Sequence, residues 1–383
     1  MPTRTLLLTV LLIRGLADSA SVGAAATRPA PEKPKGDAGL WTADEAAKAD
    51  PDFTVQGEYE GAVAGDASRK VGVQVIALGD GLFCAVILPG GLPGAGWDGK
   101  NKAQCDGERK DANVALMPAK GERKYMNRRK GQFSATETFP APGQADYTGT
   151  IANGILTATS ASGEKIEAKK VLRKSPTLEA KAPEGAAILL PYEPGRKPSL
   201  EGWSFGKDVP WQALDEGAMA IDGVVGNQAS IRKPFGAPDW KFHLEFRLIY
   251  KPRATGQGRS NSGIFISGLP EIQVLDSFGL SGLKNECAAF YSAKAPDVNM
   301  CLPPLSWQTI DVTFAAAKPA AASQPAASAR CTVEHNGVVI HKDFEVKGGG
   351  GGLMLQHHTE NGLAFRNIWA APVQPATPRQ GKP

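Results

Sequence analysis

The chain has 383 residues, 42% of them hydrophobic and 21% charged, the make-up of a globular protein of two or three domains. A formal charge of +4 is small for this length, and no basic stripe is interleaved with aromatics, so nucleic acid is not indicated as a partner. The 44 Gly and 29 Pro favour turns and short strands over long helices.

Residues 1–26 read as an export signal. Arg4 precedes the short apolar run "TLLLTVLLI", and small residues follow in "ADSASVGAAA". The run is too short to span a bilayer, and no other segment is a transmembrane candidate, so the mature protein is expected outside the cytoplasm, periplasmic or extracellular. Residues 27–50 form a Pro- and Lys-rich linker. Within it "TADEAAKAD" (42–50) predicts one short helix with Thr42 as its N-cap.

From 51 to 174 strand follows strand, with Gly, Asn and Asp between them. "IANGIL" carries the Asn-Gly of a tight hairpin. The pattern predicts a small antiparallel barrel or sandwich, read as accessory because its loops cluster neither acids nor His. Trp97, in a Gly-rich loop, is either packed or a sugar platform. The basic stretch "KGERKYMNRRKGQ" (120–132) is either a solvated loop or a contact for an acidic polymer.

A second linker, 175–186, leads to a larger region, 187–373, again nearly all β, and a disordered tail is expected over 374–383. "KFHLEFRLIY" (241–250) alternates strictly, with Phe242, Leu244, Phe246 and Leu248 on one face and His243, Glu245 and Arg247 on the other. Many strands without helical interruption imply two packed antiparallel sheets, a jelly-roll-like sandwich. "AAAKPAAASQPAASA" (315–329) reads as a flexible hairpin loop and "HNGV" as another Asn-Gly turn.

Export permits disulfides, and the two natural pairs are Cys84 with Cys105 and Cys287 with Cys301, although spacing does not fix connectivity. Cys331, on an alternating strand, reads as a buried free thiol. Without a CxxC pair, a structural zinc site is not indicated. No dense run of Asp and Asn suggests calcium, and no G-x-G-x-x-G in a βαβ setting suggests a redox cofactor. No cofactor is therefore expected.

In "PEIQVLDSFG", Glu271 and Gln273 share one strand face. If their strand neighbours that of Glu245 and Arg247, the four line one polar concave surface. Asp276 has the opposite parity and joins them only if the strand ends or bulges near Leu275. The alternative is an ordinary solvated sheet face laced with salt bridges.

From Ile188 to Val373 the chain resembles the 3-keto-disaccharide hydrolase family. The matching stretches are "LEGWSF", "FHLEFRL", "GRSNSGIFI", "EIQVLDSFG", "NECAAFYSAKAPDVNMCLPPLSWQTIDVTF", "VEHNGVVIH" and "LMLQHHTENGLAFRNIW". The resemblance covers about half of the chain, in the family's order, and leaves the N-terminal β region outside. It implies a concanavalin-like β-sandwich. It departs from the family in lacking Phe-Asp-Gly before "LEGW", in having His357 where Asp or Asn is more usual, and in the loop after His358.

The family implies a carbohydrate substrate already oxidised at C3. The ketone acidifies the C2 proton, so a base can form an enolate and the C1 substituent can leave. Water then adds to the enone. This needs a base, an acid and donors for the C3 oxygen. Glu271 is the candidate base and His358 the candidate acid, with Asp276 as a possible second carboxylate. Arg247, Gln273, Glu245, Asn261, Tyr291, Trp307, Gln356 and Arg366 are candidate substrate contacts. Each has a structural alternative: Arg366 pairing with Glu245, Trp307 and Trp369 as packing, Asn261 as a turn residue, His358 as a sheet-end His. A two-carboxylate glycosidase fits less well, because the strand reads E-x-Q. A ketone substrate requires a sugar 3-dehydrogenase elsewhere in the pathway. The other functional class is a non-catalytic lectin-like module.

Overall fold

Asn-Gly turns set two of the hairpins. Asn153 and Gly154 have φ of 50° and 75°, Asn336 and Gly337 51° and 76°, the left-handed pair that a two-residue antiparallel connection requires. They belong to a computed structural model that describes residues 39, 41–120, 139–206, 210–221, 228–320, 325–349, 351–358 and 362–373. The export signal, most of the first linker, the basic stretch 121–132 and the tail lie outside the described residues.

The predicted helix is α1 (Ala43–Ala49). Thr42 caps it and Glu45 completes the reciprocal capping box. A single turn of helix, α2 (Pro51–Val55), leads into eight antiparallel strands. These are β1 (Gly57–Val63), β2 (Asp66–Gly79), β3 (Leu82–Pro89), β4 (Ala103–Lys110), β5 (Asn113–Pro118), β6 (Tyr147–Ala152), β7 (Ile155–Ser160) and β8 (Lys165–Val171). Each pairs with the next and β8 pairs with β1, closing a barrel and leaving no open edge.

The C-terminal half is a β-sandwich, as the alternation predicts. One sheet has the order β10 (Trp203–Phe205), β13 (Ala229–Ile231), β20 (Leu353–Leu355), β15 (Ser262–Ile266), β16 (Ile272–Val274). The other runs β11 (Gln212–Leu214), β12 (Ala218–Ala220), β21 (Ala364–Pro372), β14 (Trp240–Arg247), β17 (Trp307–Ala315), β18 (Arg330–His335), β19 (Val338–Glu345), with β9 (Ala187–Leu190) also on β21. Between them pack Phe242, Leu244 and Phe246 of β14 against Ile264, Ile272, Val274 and Leu355.

The barrel is not set apart from the sandwich. Ile76, Leu78, Cys84, Val86 and Leu88 on its outer side join the sandwich core, while Val73, Val75 and Phe83 fill its own interior. Trp97 packs against that shared core and donates its Nε1–H to the carbonyl of Asn101. Segment 175–186 is likewise no free linker. Ser175 and Thr177 bond Thr309, and the Glu179 backbone N–H donates to Glu245 at 2.5 Å, strapping the segment across the outer face of β17, β14 and β21.

All five cysteines are buried and none is in a disulfide, Cys331 among them. The expected Cys84–Cys105 pair is corrected by strand register. Cys105 lies opposite Ala85, so Cys84 points the other way, into the sandwich core, while Cys105 faces the barrel interior. The Cys287 and Cys301 thiols are within hydrogen-bonding reach, and burial pushes the Cys301 thiol up. Slow refolding in a glutathione couple is therefore expected to crosslink Cys287 to Cys301. A Cys84–Cys105 crosslink in the peptide map would contradict the register.

Candidate functional site

The proposed single polar surface divides in two, because β14 and β16 lie in different sheets. Each sheet turns its polar residues outward, so the candidates occupy opposite faces of the sandwich.

On the five-stranded sheet, Ile264, Ile272, Val274 and Leu355 point inward, and alternation turns Gly263, Phe265, Gln273 and Met354 outward. Gly263 lies opposite Gln273 of β16. On its other side its carbonyl accepts the backbone N–H of Gln356 at 3.0 Å. With no side chain at Gly263, the Glu271 carboxylate lies over the backbone there. A Cβ added to Gly263 would overlap Glu271 Oε1 and meet the Phe265 ring. Glu271 is half-buried, and this burial raises its carboxyl above the ordinary Glu value.

Gln273 is only 2% exposed. Its Nε2 donates to Gln257 Oε1 at 3.0 Å, which also accepts Asn261 Nδ2 at 3.0 Å, and Gln257 Nε2 donates to the Asn285 carbonyl at 2.9 Å. That chain leaves Gln273 Oε1 as a buried acceptor with no partner. Tyr291, exposed, donates its backbone N–H to the Glu271 carbonyl, and His358 follows Gln356 by two residues, half-buried. The structure thus gathers Glu271, Gln273, Asn261, Gln356 and Tyr291 on or beside one face, with His358 on the chain that leaves β20.

Glu245, Arg247, Trp307 and Arg366 lie on the outer face of the eight-stranded sheet. Arg366 Nε donates to Glu245 Oε2 at 2.7 Å, and Arg247 holds Glu216 through two bonds of 2.6 and 2.7 Å. The Trp307 ring lies over both guanidiniums, 4.9 Å from that of Arg247 and 4.2 Å from that of Arg366. This is the salt-bridged alternative: the charges are satisfied by one another.

At the centre of this face His243, stacked on Trp369, has Nδ1 2.6 Å from Asp311 and Nε2 3.4 Å from Glu245. Burial alone would lower its pKa. The bonds and charges of Asp311 and Glu245 outweigh burial and lift it to about 8. Burial likewise works against the charge on Glu245, but bonds from His243, Asn367 and Arg366 bring its pKa below the ordinary value. The His243 contribution is complete below about pH 6.5 and lost as pH rises through about 8; that of Glu245 is lost on the acid side, as pH falls through its lowered pKa. Unfolding measured between pH 6 and 9 is expected to lose about 2 kcal/mol of stability, and a His243→Asn variant should flatten this slope. An unchanged slope would mean that His243 is not held charged.

Asp276 lies in a buried ion pair. It pairs with Arg259 at 2.5 Å, both side chains 1% exposed, and its Oδ1 accepts the Phe278 backbone N–H. β16 ends at Val274, as one of the expected routes requires, but the Asp276 backbone N–H and carboxylate both bond Arg259.

Sequence reasoning passed over Gly263, Gln257 and Arg259. A Gly inside an alternating strand was a signal for Gly263, since it marks close approach by a neighbouring group. Gln257 and Arg259 sit in a loop without a pattern to expose them. Among the described residues no group of three or more His, Cys, Asp or Glu could hold a metal, and no helix is long and apolar enough to cross a membrane.

Comparison with known proteins gives one family. Residues 194–371 match the 3-keto-alpha-glucoside-1,2-lyase-like domain. Among solved structures, a "putative glycosyl hydrolase" of Parabacteroides distasonis is 26% identical, covering 50% of this chain and 85% of its own, with a TM-score of 0.40. A second "putative glycosyl hydrolase" from the same organism is 16% identical, covering 53% and 99%, with a TM-score of 0.35. No curated protein matches the chain.

Proposed function

We propose that this chain, whose C-terminal half carries a 3-keto-alpha-glucoside-1,2-lyase-like domain, cleaves the C1–O bond of glycosides already oxidised at C3, with Glu271 as the base. The observation that carries this reading is the Glu271 carboxylate over Gly263, its pKa raised by burial. A carboxylate so placed is a better proton acceptor than one in water, and it needs no nucleophilic partner.

Glu271 removes the C2 proton, whose electrons form the enolate of the C3 ketone. The enolate oxygen restores the C3 carbonyl, the C2–C3 double-bond electrons move to form a C1–C2 double bond, and the C1–O bond breaks with its electron pair on oxygen. The departing oxygen takes a proton, for which His358 is the nearest candidate in sequence to the Gln356 row. Water adding across the enone gives the hydrolysis product; release of the enone gives the lyase product. Gln273 keeps a buried Oε1 without a partner while its Nε2 is engaged by Gln257, which makes that oxygen the candidate acceptor for a sugar hydroxyl that enters beside Glu271. Gln356 is the candidate donor to the C3 oxygen as charge develops there. The apolar run at 5–13 supports export of the protein, and the substrate ketone would come from a separate 3-dehydrogenase.

Mass spectrometry of products tests the reading. A 3-keto glucoside is expected to be cleaved and its unoxidised parent left intact. Equal cleavage of the parent would indicate an ordinary glycosidase, and saturable binding without cleavage a lectin. Gly263→Ala supplies a second test. It is expected to keep the fold but push the Glu271 carboxylate aside, lowering kcat roughly 10²-fold. Unchanged turnover would remove Gly263 from the site.

A further inference from the structure

A cleft of about 520 Å³ opens between the barrel and the outer face of the eight-stranded sheet. It is separate from the Glu271 face, because its sandwich wall is formed by β17 and β21 and not by β15, β16 or β20. Its volume is that of a small-molecule site.

Most of its wall is apolar. Phe53 comes from α2, Leu172 from the exit of β8, Leu178 from the strap, and Pro303, Pro304 and Leu305 from the loop before β17. Leu172 is 77% exposed, the most exposed large apolar side chain among the described residues. An apolar rim kept this open gains by being covered.

The polar groups of the cleft are mainly donors. Lys170 uses one ammonium hydrogen on the Thr54 carbonyl at 2.6 Å, and Lys174 is exposed at the rim. Arg173 and Arg366 are held by Glu58 and Glu245, and Glu179 is the one carboxylate in the lining. Gln56, 4% exposed, also lines the cleft. Its Oε1 accepts the Ala77 backbone N–H, and its Nε2 donor has no acceptor. A buried donor without an acceptor is unfavourable, and a ligand oxygen would supply one. The base of the cleft is stiff, since Trp307 is pinned over two paired guanidiniums.

We propose that this cleft is a second ligand site, which takes a flat apolar acid: an aromatic body against the Phe53–Leu172–Leu305 wall, with its carboxylate toward Lys170 and Lys174. A neutral apolar ligand would bring no negative charge to Lys170 and Lys174, and without an oxygen it would leave the Gln56 amide without an acceptor. A sugar alone would leave the apolar wall uncovered.

Calorimetric titration of the whole chain with cinnamate, and with cinnamyl alcohol as its neutral counterpart, tests the site. Saturable binding of cinnamate is expected, with the alcohol about tenfold weaker. Leu172→Asp and Lys174→Glu, both surface changes, should each weaken cinnamate about tenfold, and Glu271→Gln should leave it unaltered. The proposal is overturned if cinnamate shows no saturation up to about 10 mM. It is equally overturned if acid and alcohol bind alike, or if neither surface variant changes the affinity. Because Glu271→Gln is included, loss of the proposed glycoside cleavage would not by itself affect this result.

Discussion

Replacing Glu271 by Gln is expected to lower kcat on a 3-keto glucoside roughly 10²- to 10⁴-fold while leaving the fold and KM nearly unchanged. The amide has the carboxylate's shape, so it still fits over Gly263 beside Phe265, but it cannot take the C2 proton. The pH profile of the wild type should carry the same signature. Glu271 works ionised, and burial raises its pKa, so kcat/KM should fall on the acid side at a pH above that of an ordinary Glu. If Glu271→Gln turns over like wild type, the base lies elsewhere.

The largest expected effect on stability is at Asp276. Asp276→Ala leaves the Arg259 guanidinium, 1% exposed, without its carboxylate. Removing one member of a buried ion pair costs about 3–5 kcal/mol, far more than loss of a surface pair. Denaturant unfolding should show this loss of stability. Asp276→Ala protein that remains folded at low temperature should keep its turnover, because the side chain faces Arg259 and not the Glu271 carboxylate. Wild-type stability with abolished turnover would return Asp276 to the catalytic group.

Local pattern and long-range pairing were legible to different degrees. Period-two alternation identified both outward-facing sets correctly: Glu271 with Gln273, and His243 with Glu245 and Arg247. It did so because strand parity is a property of adjacent residues. It did not reveal that β14 and β16 belong to different sheets, since pairing partners are chosen across long stretches of chain. The same limit applies to Asp276. Its parity differs from that of Glu271, and its partner Arg259 lies in a loop with no periodicity. The Asn-Gly turns and the Thr42 cap were legible because the backbone geometry at those positions restricts which residues fit. The joining of barrel and sandwich was not. An outer strand face such as that of Ile76 and Val86 reads the same whether it meets solvent-side packing or a second domain.

The arrangement also separates two demands on polar residues. Glu245, Arg366, Asn367 and His243 satisfy one another beneath a strap of chain, which suits a structural role. Glu271 and the Oε1 of Gln273 are held in place yet keep capacity for a substrate, which suits a site.

The most direct test of the central claim is the kinetic isotope effect at C2. The purified chain would be given a 3-keto glucoside with hydrogen or deuterium at C2, and bond cleavage at C1 followed. Removal of the C2 proton by Glu271 predicts slower cleavage of the deuterated substrate, and appearance of solvent hydrogen at C2 in the hydrolysed product. Equal rates, with the C2 deuterium fully retained in the hydrolysed product, would mean that C1 is cleaved without an enolate and would contradict the account.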